Sequence, residues 1–224
     1  SGLETVGLRC PDNDLTRELI SRLDVGVAAP SANKFTKTSP TKSEHVSSQF
    51  SSDDVYVIDN DPSQVGIEST IVTIKEGRVH ILRPGVITST HLKEVLGEER
   101  EVVQGQTAFE DHNEKVSAPG QFKVHYRPEY ELALYKNESD DFDMNALKES
   151  DPSVDFVALD ANPLVTARHL YSLMRVPLEP SKRGRCFVIV TPLHTLKTSD
   201  IEIWQGILNR LSKAITFTIE NPSL

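Results

Sequence analysis

The sequence predicts an α+β chain built in two parts. Over residues 1–102, short apolar runs and helix-period segments intermix without a regular strand–helix repeat. A hairpin signal sits inside that part, where two apolar runs flank Glu76-Gly77. Residues 131–224 change style, with apolar strands alternating with helical patterns.

Residues 5–9 (TVGLR) read as a strand, and Pro11-Asp12-Asn13-Asp14 supplies a turn and an N-cap. Leu15, Leu19, Ile20 and Leu23 then recur at helical spacing. Residues 25–29 return as a short buried strand, and residues 30–40 form a polar loop that fits neither period. Thr41 caps a helix running to about Phe50, with Glu44 three positions on completing a capping box. Residues 55–58 are a strand, ended by the turn cluster Asp59-Asn60-Asp61-Pro62. Residues 69–74 and 79–82 make the hairpin, and Thr88 or Ser89 caps a helix that Gly97 stops. The absence of a βαβ repeat favours a mixed, twisted sheet. A strand that opens the chain with no element to pair with, and no initiator Met, leads to the expectation that an N-terminal part is absent.

Residues 103–130 read as a linker, rich in Gln, Glu, Asp and Asn and closed by a ring-rich run from Ala118 to Pro128. Beyond it, strands at residues 132–135, 156–159 and 186–190 alternate with helices at 163–175 and 201–214, a small Rossmann-like α/β domain. It has no G-x-G-x-x-G, so no nucleotide site is expected there. On the last helix, Trp204, Ile207, Leu208 and Leu211 form a core stripe, while Arg210 and Lys213 are read as solvated.

A net charge of -9 argues against whole-surface attraction to nucleic acid or anionic membrane, though a local phosphate pocket remains compatible with it. Cys10 and Cys186 match no metal spacing and read as inert thiols of a reducing compartment, with a single disulfide as the alternative. No run approaches the length of a membrane span, and a cytoplasmic location is expected.

Three polar punctuation marks carry the candidate chemistry: Ala28-Ala29-Pro30-Ser31-Ala32-Asn33, Gly66-Ile67-Glu68-Ser69-Thr70 and Leu82-Arg83-Pro84-Gly85. Arg9 could grip a carboxylate through paired hydrogen bonds, or pair with Asp12 or Asp14 on the surface. Ser31 and Asn33 offer either a nest for a phosphate or base edge, or an ordinary turn. Ser39 is a ligand hydroxyl or a helix cap, and Ser69 a ligand contact or a strand-entry turn. Arg83 could neutralise phosphate or pair with an exposed acid; His125 and Tyr126 could cap a ligand or anchor the linker. No Ser-His-Asp spacing supports a nucleophile.

In order and wording these segments, with Thr5-Val6-Gly7-Leu8-Arg9-Cys10-Pro11-Asp12 and Ser39-Pro40-Thr41, resemble the YrdC-type fold. The Ala-Pro-Gly-Gln…His-Tyr-x-Pro linker and the small α/β domain behind it resemble the long, two-domain form of the threonylcarbamoyl-AMP synthases. The resemblance implies that L-threonine, bicarbonate and ATP, with Mg²⁺, give threonylcarbamoyl-adenylate and pyrophosphate for tRNA modification, in company with a transferase. It implies that Arg9, Ala29 and Ser69 contact threonine. Thr5, Ser31, Asn33, Ser39 and Arg83 would line the ATP side, with His125 and Tyr126 closing over it. The family's basic Lys-x-Arg motif lies upstream of Thr5, and this chain does not contain it; a fragment inactive by itself is therefore expected. Two other functions compete: a non-catalytic RNA- or ribosome-binding module, which the net charge disfavours, and a sensor of ATP or threonine without turnover.

Overall fold

Glu76 and Gly77 both take positive φ, 53° and 76°, and reverse the chain between Lys75 and Arg78, which pair across the turn. A two-residue loop of this handedness matches the twist of the strands it joins. A computed structural model describes residues 5–104, 126–139 and 141–219 of the protein. In chain order its elements are α1 (Asp14–Leu23), α2 (Ser43–Ser47), β1 (Ile71–Lys75), β2 (Arg78–Arg83), α3 (Ser89–Leu96) and β3 (Val102–Gln104). These are followed by β4 (Leu132–Lys136), α4 (Met144–Ser150), β5 (Val154–Leu159), α5 (Pro163–Arg175), β6 (Gly184–Ile189) and α6 (Thr198–Ala214).

The first sheet has the order β1-β2-β3, antiparallel between β1 and β2 and parallel between β2 and β3, so it is mixed as the sequence predicts. The second is a parallel sheet of order β4-β6-β5. Its central strand β6 is buried along its whole length, which is why residues 186–190 read as a continuous apolar run rather than an alternating one, with Arg185 the one charged residue in the strand. One face packs Leu132, Phe187 and Ile189 against Leu170, Trp204 and Ile207 of α5 and α6. The other packs Ala133, Phe156, Cys186 and Val188 against Leu147 of α4. The helix α4 has no counterpart among the sequence expectations, because residues 144–150 are too short to show a period.

Capping decides several helix limits. The Asn13 side chain accepts from Thr16 N at 2.9 Å to start α1. Thr88 and His91 cap α3 reciprocally, and Gly97 (φ 95°) ends it. The helix expected from Thr41 to Phe50 shrinks to α2, which has Lys42 at its N-cap and no side-chain cap. Thr41 stands one position before that N-cap, its N–H donating to His45 Nδ1 at 3.1 Å and its hydroxyl 3.1 Å from the Ser172 hydroxyl of α5.

The strands expected at residues 5–9, 25–29 and 55–58 do not form. These segments pair with no strand among the described residues. Most of their apolar side chains are exposed, Leu8 to 92% and Tyr56 to 91%, while Val55 and Val57 are half-buried. The helix α1 between the first two likewise buries none of its residues. No helix among the described residues is long and apolar enough to cross a membrane.

Both cysteines are free thiols, Cys10 exposed and Cys186 buried, with burial pushing the Cys186 thiol up to about 12. A thiolate-reactive reagent such as DTNB is therefore expected to titrate Cys10 quickly in the native protein, with Cys186 reacting only after denaturant is added.

Candidate functional site at the junction of the two sheets

The segment Gly66-Ile67-Glu68-Ser69-Thr70 leads into β1 and lies against α5. A Cβ on Gly66 would come within 2.7 Å of the Ala167 carbonyl oxygen and nearer still to that of Arg168, so only glycine allows this approach. Ile67 N donates to Ala167 O at 3.1 Å, and its side chain joins the core under the parallel sheet. Those two anchors turn the Glu68 carboxylate into a largely buried space between α5 and α6.

Glu68 is the hub of a polar network. It accepts from Ser39 Oγ at 2.8 Å, from the Tyr171 hydroxyl at 2.9 and 3.0 Å, and from Arg210 Nε at 3.1 Å. Arg210, fully buried in α6, also donates through Nη2 to the Glu68 carbonyl at 3.1 Å and through Nη1 to the carbonyls of Pro84 and Gly206. Arg83 closes the other side, its Nε and Nη2 donating to the Ser69 carbonyl at 3.1 and 2.8 Å. The Tyr126 ring stacks on Tyr171 with centroids 5.4 Å apart, and Thr38 Oγ1 donates to the Tyr126 carbonyl at 3.3 Å.

The electrostatics follow from this packing. Burial alone raises the Glu68 pKa, but the Arg210 charge, the Ser39 and Tyr171 hydroxyls and its own backbone outweigh burial and hold it below its ordinary value of 4.5. Burial and the neighbouring Glu68 charge push Tyr126 up to about 12. Burial, with the Arg210 and Arg83 charges, lowers Lys213 to about 8. For a carboxyl depressed on folding, the stabilisation is complete above the unfolded value and disappears as pH falls through the folded one. The stability advantage of the wild type over Glu68→Gln is therefore expected to be constant from pH 7 down to about 5 and to shrink below about pH 4.5. Urea titrations of both proteins across that range check it.

Of the residues proposed from the sequence, Ser39, Ser69, Arg83 and Tyr126 come together around Glu68. Asn33 stands in the loop that feeds them. Its Nδ2 donates to the carbonyls of Lys34 and Lys37, while its Oδ1 is buried without a hydrogen-bond partner. Arg127 N donates to Thr36 O at 3.0 Å and ties this loop to the end of the linker. Ala32 and Thr36 both hold positive φ, 52° and 68°, a conformation that is uncommon for alanine and a genuine outlier for a β-branched residue.

Ala29 and Ser31 are exposed, as are Thr5 and Arg9 on the extended segment before α1, and the described contacts do not bring these four to the junction. The alternative pairing of Arg9 with Asp12 or Asp14 is corrected too: Arg17, one turn into the helix, takes both acids. Arg83 is buried and pairs with the backbone of Ser69, and no exposed acid among the described residues is bridged to it. Tyr126 takes the anchoring role, being almost fully buried. His125 lies outside the described residues.

Arg210 is the correction of most consequence, since the sequence reading left it in solvent. A signal was present: Ile203, Ile207, Arg210 and Ala214 follow one another at helical spacing, so the arginine stands on the buried stripe and requires an acid opposite. Tyr171 holds the corresponding position on α5, beside Ala167, Leu170 and Met174.

Fold and site together define a two-domain α+β protein in which a mixed-sheet half and a parallel-sheet half share one buried polar junction. A family model described as "Threonylcarbamoyl-AMP synthase, C-terminal domain" matches residues 87–215, and one described as "Telomere recombination" matches residues 1–85. The chain belongs to the threonylcarbamoyl-AMP synthase family. It is 37% identical over 134 residues to the threonylcarbamoyl-AMP synthase of Bacillus subtilis, an alignment covering 60% of this chain and 38% of that protein. It is 33% identical over 141 residues to the enzyme of that name from Pyrococcus abyssi, covering 62% and 40%. These alignments thus span well under half the length of the two relatives. The crystal structure of P. abyssi Sua5 complexed with L-threonine superposes with a TM-score of 0.75 at 23% identity, over 98% of this chain and 67% of that one.

Proposed function

We propose that the junction belongs to a site that makes threonylcarbamoyl-adenylate from L-threonine, bicarbonate and ATP. The relatives named threonylcarbamoyl-AMP synthase support this reading, as does the L-threonine in the P. abyssi Sua5 structure. The observation that carries it is the convergence of Ser39, Ser69, Arg83 and Tyr126, drawn from four separate stretches of sequence, around one buried carboxylate. In the proposed reaction the threonine nitrogen attacks the bicarbonate carbon, and a carbamate forms with loss of water. A carbamate oxygen then attacks the α-phosphorus in line, and pyrophosphate leaves. Such a carbamate decomposes in water, so the work of the protein is to hold it, orient it and exclude solvent. Ser69, with Ala29 and Arg9, would contact threonine. Thr5, Ser31, Asn33, Ser39 and Arg83 would line the nucleotide side, with His125 and Tyr126 over it.

Among the described residues no group of three or more His, Cys, Asp or Glu side chains could hold a metal ion, and Glu68 is committed to Arg210. Mg²⁺ would accordingly arrive as part of the MgATP substrate. A cytoplasmic location and a transferase that passes the threonylcarbamoyl group to tRNA belong to the same proposal.

Thermal denaturation with L-threonine, MgATP and both together tests it. Saturation at about a hundredfold over Kd adds roughly 2.7 kcal/mol, which raises the melting temperature by about 5 °C or more for a chain of this size. D-Threonine should do nothing. No shift with any of the three ligand sets overturns the reading.

A further inference from the structure

We propose that Glu68 and Arg210 are positioning residues through which α5 and α6 of the parallel-sheet half fix the geometry of the ligand-side segments of the mixed-sheet half. Arg210 holds two separate segments at once. It binds Glu68, which immediately precedes Ser69, and the carbonyl of Pro84, which immediately follows Arg83. Glu68 extends the same grip to a third segment by accepting from Ser39 Oγ. Ser69 and Arg83 are in turn joined to each other through the Ser69 carbonyl.

Glycines permit the close approaches this needs. Gly66 lets its segment lie against α5, where a Cβ would stand 2.7 Å from the Ala167 carbonyl, and Gly85 lets the two ligand-side segments meet, where a Cβ would stand 2.6 Å from Thr70 N. The Tyr171 hydroxyl of α5 takes up further acceptor capacity of the Glu68 carboxylate.

Stability alone does not call for this arrangement, because a buried ion pair is commonly matched or exceeded by apolar side chains of the same volume. What the pair supplies is direction: each bond of the guanidinium and carboxylate ends on a specified atom of a specified loop. The parallel-sheet domain, which carries no nucleotide fingerprint, thereby becomes a structural part of the site. This rests on Ser39 and Ser69 being ligand-side residues.

The test is hydrogen exchange followed by mass spectrometry on the full chain, comparing wild type, Glu68→Gln, Arg210→Lys and the apolar double variant Glu68→Leu/Arg210→Met. Exchange is read over residues 38–41, 67–70 and 83–85, with residues 185–189 of the central strand as the folding control. Exchange in the first three segments should rise about tenfold or more in each variant while the control changes less than twofold. Arg210→Lys, which keeps the charge but not the branched reach to Pro84, should free residues 83–85 more than 67–70. The double variant keeps the proposal open to refutation if a single variant fails to fold: it should recover wild-type stability yet leave residues 38–41 unprotected.

Equal exchange in all segments, or a uniform rise that includes the control, overturns the proposal. Titration of the same proteins with L-threonine and MgATP then separates the two readings. If the wild type binds neither ligand, the functional reading fails while the exchange data still decide the positioning role. If it binds and the variants bind equally well, positioning fails alone.

Discussion

Arg210→Met is expected to destabilise the protein by about 3–5 kcal/mol, the range for removing one partner of a buried ion pair. Methionine fills a similar volume, so little of this loss comes from a cavity. Most arises from Glu68, whose carboxylate remains between α5 and α6 without the cation that holds its pKa down. The hydroxyls of Ser39 and Tyr171 still donate to it, but two neutral donors do not replace a guanidinium in contact. The carbonyls of Glu68 and Pro84 each lose the guanidinium donor in the same substitution. A carboxyl left in that position takes up a proton more readily, so the variant should recover part of its loss as pH falls toward 5, the opposite of the wild-type trend. Urea denaturation at pH 7 and pH 5 measures both effects, and addition of Glu68→Gln should return part of the stability by removing the unmatched charge. A loss below about 1 kcal/mol at pH 7 would mean that water reaches the pair.

Which parts of this molecule could be read from its sequence depended on how local the cause was. The hairpin at Glu76-Gly77, the cap at Thr88 and the stop at Gly97 are decided within a few residues, and they form as expected. The parallel sheet was legible because β6 is apolar from Cys186 onward and α5 and α6 each carry a long stripe. The strands expected at residues 5–9, 25–29 and 55–58 had the right residue types, but a strand exists only when another strand accepts its hydrogen bonds. That information is not local.

The site divided along the same line. Residues at the ends of apolar runs were identifiable as polar punctuation, which located Ser69 and Arg83, whereas Ser39 was placed on the ATP side only by the family resemblance. Their partners were not, because Glu68 meets Arg210 across 142 positions of chain and Tyr171 across 103. Helical phase alone could have placed Arg210 on the buried face of α6. Reading it as a solvated cation followed the residue type when its position on the helix was the stronger evidence.

Gly66→Ala should cost about 3 kcal/mol or more, near the upper end for inserting a methyl group where no room exists. The obstacle is backbone: the new Cβ would overlap the Arg168 carbonyl and lie 2.7 Å from that of Ala167. Both carbonyls belong to the middle of α5, where the helical ladder holds them, so the helix cannot yield cheaply. Residues 66–68 must move instead, and the first contact broken is Ile67 N to Ala167 O. Glu68 would be carried away from Tyr171 and Arg210 with them, so a steric change at one α-carbon becomes an electrostatic one at the hub. Gly26→Ala, where nothing lies within 4 Å, is the control, with a change within about 1 kcal/mol. If the two variants unfold at the same urea concentration, the segment is not seated against α5. If Gly66→Ala alone is weakened and its Tyr171 becomes accessible to solvent quenching, the close approach of that one glycine is what seats the mixed sheet on the helices.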